Sequence, residues 1–283
     1  MKQIIMGDNL EVLGKLPDKF ARLIYVDPPF NLGKPQQRTR IKTRVVKDGE
    51  VGDRVGFGGK EYISEVQETS NIYYEDKFDN FEEFLMPRIE ASLHCLTDDG
   101  SVFIHLDDRE SAYIQVAVDK LLGRKCYMGQ VVWAWDWGFR SKTKWSRKHN
   151  ILNWWSLNPK NYVFNYDAMD RIPYMSDKGL VSEEKLKRGK TPTSCWFHTI
   201  IGTNSKEKLD GGSYPSAKPI GIIDRLVKVH SNPNDVILDY FAGSGTTGAS
   251  AEKNGRNYVL IDSNPDAVKI MHARLPTAQC IGF

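Results

Sequence analysis

The sequence predicts one α/β domain with insertions, and two runs of strand, turn and helix carry that prediction. The first opens the chain: an apolar strand from Gln3 to Met6, a Gly7-Asp8-Asn9 turn, a helix-like stretch from Leu10 to Leu16 and a strand from Arg22 to Asp27. The second comes near the end. Asp235 to Phe241 reads as a strand, Ala242-Gly243-Ser244-Gly245-Thr246-Thr247-Gly248 as a tight turn opening a helix, and Asn257 to Ile261 as the next strand. Asp8, Asp27 and Asp262 fall at the carboxyl ends of these strands, where open α/β sheets bind their ligands.

At 283 residues and 40% hydrophobic, the chain can bury one large core. Met1-Lys2-Gln3-Ile4-Ile5 has no long apolar h-region, and no later run approaches the roughly 18 apolar residues of a membrane span, so the expected location is the cytoplasm. Cys95, Cys126, Cys195 and Cys280 form no Cys-x-x-Cys pair, which argues against a zinc site and a disulfide scaffold; they are expected to be reduced and mostly buried. A net charge of +3 is too small to demand an anionic partner, so its distribution matters more.

The apolar run Leu23-Ile24-Tyr25-Val26 ends abruptly at Asp27-Pro28-Pro29-Phe30. Two prolines donate no backbone hydrogen bonds and hold φ near −65°, so the strand stops and the chain stiffens where Asp27 emerges. Such a corner suits a planar amino group: a carboxylate and a proline carbonyl accept its hydrogens while Phe30 stacks on the ring that carries it. An ordinary proline turn is the plainer reading of the same four residues.

From Gly33 to about Ser70 hydrophobic periodicity is lost, and Lys34, Arg38, Arg40, Lys42, Arg44 and Lys47 crowd the stretch. It reads as a long, mobile, basic loop placed to grip an anionic polymer, with a solvated charged face as the alternative. Phe81 to Leu96 reads as a helix with Phe84, Leu85, Ile89, Leu93 and Leu96 on one side, closed by Asp98-Asp99-Gly100, and Ser101 to Leu106 as a buried strand. Asp107-Asp108 can cap the next helix, whose Tyr113, Val116, Ala117 and Leu121 recur at helical spacing. Gln130 to Trp135 is a strand. Asp136 to Asn150 then interleaves Trp137, Phe139, Arg140, Lys142, Lys144, Trp145, Arg147, Lys148 and His149, the mixture of charge and flat rings that a nucleic acid asks for. A tryptophan-rich core edge is the competing reading. Trp154, Trp155, Tyr162 and Phe164 are expected in short core strands, and Asp167 to Pro192 is polar and poorly periodic.

Gly243-x-Gly245-x-x-Gly248 is also the dinucleotide fingerprint, which brings a nicotinamide-dependent oxidoreductase into consideration. Position argues against it. Only one helix, Asn264 to Leu275, and a short tail follow Asp262, so the N-terminal half must supply the rest of the sheet. The Asp27 corner would then face a nucleoside-binding turn across the strand ends, an arrangement for methyl transfer rather than hydride transfer.

In these motifs and their order the chain resembles the amino-group DNA methyltransferases that use S-adenosylmethionine, in the beta subgroup whose catalytic motif precedes the cofactor motif. The resemblance runs through Gly7-Asp8, Asp27-Pro28-Pro29-Phe30-Asn31, Phe81 to Asp108, Ser216-x-Lys218-Pro219 and Asp239 to Thr247, most of the chain. It departs at Tyr240, where the family often has proline, and at Phe30, where many members have tyrosine. The fold it implies is a mostly parallel twisted sheet of the S-adenosylmethionine-dependent methyltransferase type with one antiparallel edge strand. A single domain would span 1–283, with candidate DNA-contacting insertions at 33–75 and 136–195.

The resemblance also implies roles. Asp27, Pro28, Pro29 and Phe30 would act on a flipped base; Asp8 would meet the cofactor adenine, Asp262 the ribose, and Phe241, Gly243, Ser244, Gly245, Thr246 and Thr247 the methionine part. Ser216 and Lys218 belong to the same site, Lys218 at the cofactor carboxylate, with Pro219 as the first residue of the following helix. Double-stranded DNA would lie on Lys34, Arg38, Arg40, Lys42, Arg44, Arg140, Lys142, Lys144, Arg147 and Lys148. The aspartate at the head of the motif resembles adenine-N6 members more closely than cytosine-N4 members, which stay as the alternative. Carbon-five methylation would need a cysteine nucleophile, typically after proline, and Cys195 follows Ser194. A DNA-binding module with a silent methyltransferase fold is the reading from another class. By analogy with the family, a homodimer and a cognate restriction endonuclease join the expected partners; no membrane and no metal does.

Overall fold

The computed structural model describes residues 1–55, 59–136, 138, 140–174, 179, 181–197 and 217–282, with the side chains of 37–42, 54 and 66–73 left aside. In chain order the elements are β1 (Lys2–Met6), α1 (Asn9–Leu13), β2 (Ala21–Val26), β3 (Gln36–Val45), β4 (Arg54–Val55), β5 (Glu61–Tyr74), α2 (Phe81–Ser92), β6 (Leu96–Leu106), α3 (Ser111–Leu122), β7 (Tyr127–Ala134), β8 (His149–Ser156), α4 (Glu183–Arg188), β9 (Cys195–Phe197), α5 (Ile220–His230), β10 (Val236–Asp239), α6 (Thr246–Lys253), β11 (Asn257–Asp262), α7 (Pro265–Arg274) and β12 (Gln279–Gly282).

Among the described residues nine strands form the main sheet, in the order β12-β1-β11-β10-β2-β6-β8-β7-β9. Neighbours from β12 to β6 are parallel, β8 is antiparallel to both β6 and β7, and β9 is parallel to β7. The expected antiparallel edge strand is therefore internal. β7 and β8 pair as neighbours around the 135–148 connection, and β9 adds beyond β7, where Val132 N–H donates to the Ser194 carbonyl and Trp196 is buried. The expected short tail is itself a strand, since β12 pairs with β1.

The strands read as near-continuous apolar runs because both faces are covered. Side chains alternate across the sheet, so Ile24 and Val26 pack with Val12, Leu85, Ile89 and Ile114 of α1 to α3, while Leu23 and Tyr25 pack with Ile222, Leu226, Ala251 and Met271 of α5 to α7. Each fully buried side chain of this kind contributes about 1.5–3 kcal/mol, so the central strands are firmly held. That firmness holds the strand ends in place.

Four further expectations change. The basic 33–70 stretch is not a loop: β3 and β5 pair antiparallel from Gln36↔Tyr74 to Val45↔Tyr62, with β4 on the other side of β5. In α3 the buried face is Ile114, Ala117 and Val118, whereas Tyr113, Val116 and Leu121 are exposed. Tyr162 and Phe164 lie outside any strand and pack as rings on Trp154, at 5.4 and 5.9 Å. Of the cysteines, Cys95 and Cys126 are buried but Cys195 and Cys280 are exposed. No helix among the described residues is long and apolar enough to cross a membrane.

Candidate active site

β10 and β2 are adjacent and parallel, yet the chain leaves them toward opposite faces of the sheet: α6 follows β10 on the α5–α7 side, and the first helix after β2 is α2 on the other. At such a switch point the connections diverge and a crevice opens beyond the carboxyl ends. A cavity of about 590 Å³ lies there, lined from one side by Asp27, Pro28, Pro29 and Phe30 and from the other by Asp239, Phe241, Gly243, Ser244, Thr246 and Thr247. Asp262, at the end of β11, and Lys218, two residues before α5, also face it. Phe78, Phe84 and Phe241 form an aromatic wall, with Phe78 stacked on Phe84 at 4.2 Å and Phe84 at 6.1 Å from Phe241.

The proline corner is fixed from behind. Asn31 follows it at φ 56°, a left-handed conformation that asparagine tolerates better than most residues. Its side chain locks the turn, accepting from the Phe78 N–H at 2.9 Å and donating to Glu110 at 3.0 Å. Asp76 is fully buried beside it, and its carboxylate makes no hydrogen bond of normal geometry with the described residues. Burial raises its pKa, opposed by the nearby backbone N–H groups of Leu32, Asn31 and Phe30 and by the charge of Arg109.

Asp27 has a cation for a neighbour. Lys218 Nζ donates to its Oδ1 at 2.7 Å and its Oδ2 at 2.6 Å, and the same ammonium lies 4.8 Å from the centre of the Phe30 ring. Burial raises the Asp27 pKa, and the charge and hydrogen bonds of Lys218 pull it back. The expected partner of Lys218 was the cofactor carboxylate; the structure places it on the carboxylate of the proline corner. Pro219 is the cap of α5 and Ile220 its first residue, one position later than expected.

Behind Asp27 lies a buried chain whose members no sequence motif brings together. The Tyr25 hydroxyl and His105 Nδ1 are 2.7 Å apart, His105 Nε2 accepts from Asn150 Nδ2 at 3.0 Å, and Nδ1 is 3.8 Å from Asp27 Oδ1. Burial, with Lys218 nearby, holds the His105 pKa well below its usual value, so the ring is neutral. With Nε2 accepting, its proton sits on Nδ1, facing Tyr25 and Asp27. A polar residue near the end of the apolar run Ser101 to Leu106 was the available signal.

On the opposite wall, Asp239 accepts from the Thr247 hydroxyl at 2.6 Å and the Phe241 N–H at 3.0 Å. Burial pushes its pKa up to about 7, with those bonds opposing and the charges of Asp27 and Asp262 adding to the rise. Asp262 accepts from the backbone N–H groups of Gly243 and Asn264 at 2.8 and 2.9 Å. A carboxylate offers about four acceptor directions, so two remain for hydroxyls of a ligand. Burial raises its pKa against these two donors. Gly245 does not line the cavity: at φ 74° it lies against α7, where a Cβ would sit 2.8 Å from Met271. Gly248 lets α6 approach β11, because a Cβ there would lie 2.6 Å from Leu260. Ser244 and Thr246 are held by Arg274, which donates to the Ser244 carbonyl and the Thr246 hydroxyl at 3.3 and 3.1 Å. Tyr240 keeps its ring fully buried.

Asp8 departs from its expected role. It accepts from the N–H groups of Leu10 and Glu11 as the cap of α1, pairs with Arg88 at 3.3 Å and lies outside the cavity lining. The start of a helix right after the strand claims its oxygens. Ser216 lies outside the described residues, as do Trp137, Phe139 and the side chains of Arg38, Arg40 and Lys42. Of the other basic candidates, Arg44 pairs with Glu50 at 2.7 Å and Glu65 at 3.0 Å, Arg140 with Asp136, and Arg147 with Asp108 at 3.1 Å. Lys148 Nζ lies against Gly138. Lys34, Lys142 and Lys144 are exposed.

A glycine turn facing a proline corner across the switch point of a mostly parallel sheet defines the class: the S-adenosylmethionine-dependent methyltransferase fold. Solved structures agree. The M1.HpyAVI–SAM complex superposes with a TM-score of 0.57 at 17% identity, covering 97% of this chain and 99% of that one. PvuII DNA methyltransferase, titled cytosine-N4-specific, gives 0.65 at 15% identity, covering 96% and 85%. Residues 21–273 match the family described as DNA methylase, N6_N4_Mtase, and the chain belongs to that family. Among curated relatives, DNA adenine methyltransferase YhdJ of Escherichia coli (strain K12) is 28% identical over 98% of this chain and 83% of its own length. Type II methyltransferase M.ScaI of Streptomyces caespitosus is 28% identical over 95% and 79%.

Proposed function

We propose that this chain transfers a methyl group from S-adenosylmethionine to the exocyclic N6 of an adenine flipped out of a duplex of specific sequence. One observation carries the reading: the Asp27 corner and the glycine turn share one cavity. The family is one of DNA methylases, and the aspartate at the head of the corner, with the similarity to a relative named an adenine methyltransferase, supports adenine. When bound, the cofactor supplies an electrophilic methyl on a sulfonium. Phe241, Ser244, Thr246 and Thr247 would hold its methionine part and Asp262 its ribose.

The residues of the corner would do the rest. A base paired in a duplex keeps its amino nitrogen out of reach, so it must leave the stack. Phe30 offers a face for the flipped ring. Lys218 takes two of the acceptor directions of Asp27, which leaves the others, with the Pro28 carbonyl, for the two amino hydrogens. Accepting both hydrogens draws the nitrogen lone pair out of conjugation and stabilises the positive charge that develops there, while Pro28 and Pro29 keep the acceptors from swinging away. Lys34, Lys142 and Lys144, on the 33–75 and 136–195 insertions, would meet phosphates.

Cytosine-N4 transfer is the second reading, because the same two acceptors fit either amino group and a solved structure of this fold is titled cytosine-N4-specific. The similarity to a protein named a type II methyltransferase supports a companion restriction endonuclease. The test incubates the chain with labelled S-adenosylmethionine and mixed-sequence duplex DNA, then digests the DNA to nucleosides. N6-methyladenine is expected, with Asp27→Ala lowering transfer about 10²–10³-fold while cofactor binding persists. Label in N4-methylcytosine would overturn the base assignment, and full activity in Asp27→Ala would overturn the site.

A further inference from the structure

The 135–148 connection holds an indole ring that no described residue covers. Trp145 is 98% exposed. Its turn is nevertheless built: Ser146 Oγ accepts from the Ser141 N–H at 2.7 Å, and Ser141 Oγ accepts from the N–H groups of Thr143 and Lys144 at 3.2 and 3.3 Å. At the base Trp135 N–H donates to the Lys148 carbonyl at 3.0 Å, and Arg147 ties the connection to Asp108, just beyond β6, at 3.1 Å. A single exposed apolar side chain is ordinary on a protein surface. One presented by a self-bonded turn that also carries two exposed lysines, Lys142 and Lys144, is a surface for a flat ligand with anionic edges.

Its position in the fold narrows the ligand. β7 points the same way as β2 and β6, so the connection leaves β7 at the same end of the sheet as Asp27. β7 is three strands from β2 in the sheet order, a separation of roughly 14 Å at about 4.8 Å per strand, close to the about 12 Å width of a duplex major groove. A base drawn into the Asp27 cavity leaves a gap between its former neighbours. We propose that Trp145 is a wedge that enters this gap, stacking on the flanking bases and blocking the flipped base from returning. Apolar side chains inserted between base steps are a general device of proteins that distort duplexes. Lys142 and Lys144 hold the phosphates beside the gap.

This inference rests on the proposed DNA methylation, and its test separates the two. Sequencing DNA from cells expressing the chain identifies the methylated sequence. Two duplexes of that sequence are then compared, one with the target base paired and one with it opposite an abasic site, where no partner holds it in. On the paired duplex Trp145→Ala is expected to lower kcat/KM roughly 5- to 150-fold, the range for one aromatic–base stack, and Trp145→Phe to keep most of the activity. Opposite the abasic site the Trp145→Ala deficit should shrink to within about 2-fold, because a base without a partner flips at little cost. Equal deficits on both duplexes, an undiminished Trp145→Ala, or a Trp145→Phe as impaired as Trp145→Ala would each overturn the wedge. Wild-type protein that methylates no DNA would instead bring down the proposed function.

Discussion

The cavity and the basic surface segments both carry many charges, but they dispose of them in opposite ways. In the cavity three aspartates have partners that leave them usable: Asp27 shares Lys218, Asp239 holds Thr247, and Asp262 is bound by two backbone N–H groups with acceptor directions to spare. On the surface three of the described arginines are engaged by acids of their own surroundings. Arg44 holds Glu50 and Glu65, Arg140 holds Asp136 and Arg147 holds Asp108, whereas Lys142 and Lys144 are exposed. Counting basic residues therefore overstates what a phosphate backbone meets. A buried pairing prepares a group for use, while a surface pairing competes with the ligand.

The largest effect expected from breaking this contrast is at Lys218. Removing one member of a buried ion pair leaves the other charge uncompensated and costs about 3–5 kcal/mol, so Lys218→Met should lower the stability measured by urea unfolding, and Asp27→Asn added to it should restore part of the loss. The pH profile gives a second readout. Burial raises the Asp27 pKa and Lys218 opposes the rise, so losing the lysine raises it further. In the proposed role Asp27 must be ionised to accept from the amino group, so transfer would be lost as pH falls through its pKa; the acid limb should move to higher pH in Lys218→Met and much less in Lys218→Arg. An acid limb that stays in place would mean that Lys218 does not govern Asp27.

What could be read ahead of the structure was what the backbone itself encodes. Two prolines stop a strand in any context, and the spacing of Gly243, Gly245 and Gly248 announces a turn that packs closely on its neighbours. Contacts between distant strands were not legible. Tyr25, His105 and Asn150 meet only because β2, β6 and β8 lie side by side in one register, with 80 and 45 residues separating the bonded pairs. The β3–β5 hairpin was hidden for another reason: Arg38, Arg40, Lys42 and Arg44 alternate with Thr39, Ile41 and Thr43, a period of two carried by charge rather than hydrophobicity. Asp8 sits at a strand end like the cavity-facing aspartates, and only the helix that starts beside it shows why its oxygens are engaged.

The smaller predictions compare the lysines with the arginines. A phosphate contact lowers log K against log salt by about 0.9 for each charge neutralised, so Lys142→Gln and Lys144→Gln should each flatten the salt dependence of DNA binding by about one unit of slope. Arg140 lies in an exposed i,i+4 pair, a kind of contact worth little; it can exchange Asp136 for a phosphate, and Arg140→Gln should fall between the lysines and wild type. Arg44 sets the floor. It is bound to two glutamates, one of which, Glu50, it holds at a pKa of about 2, so leaving for a phosphate would strand both acids beside the polyanion. Arg44→Gln should leave the slope unchanged, measured by filter binding over a range of salt. A loss of slope equal to that of Lys142→Gln would show that DNA pulls Arg44 away from its glutamates, and that surface pairing is no guide to which charges bind.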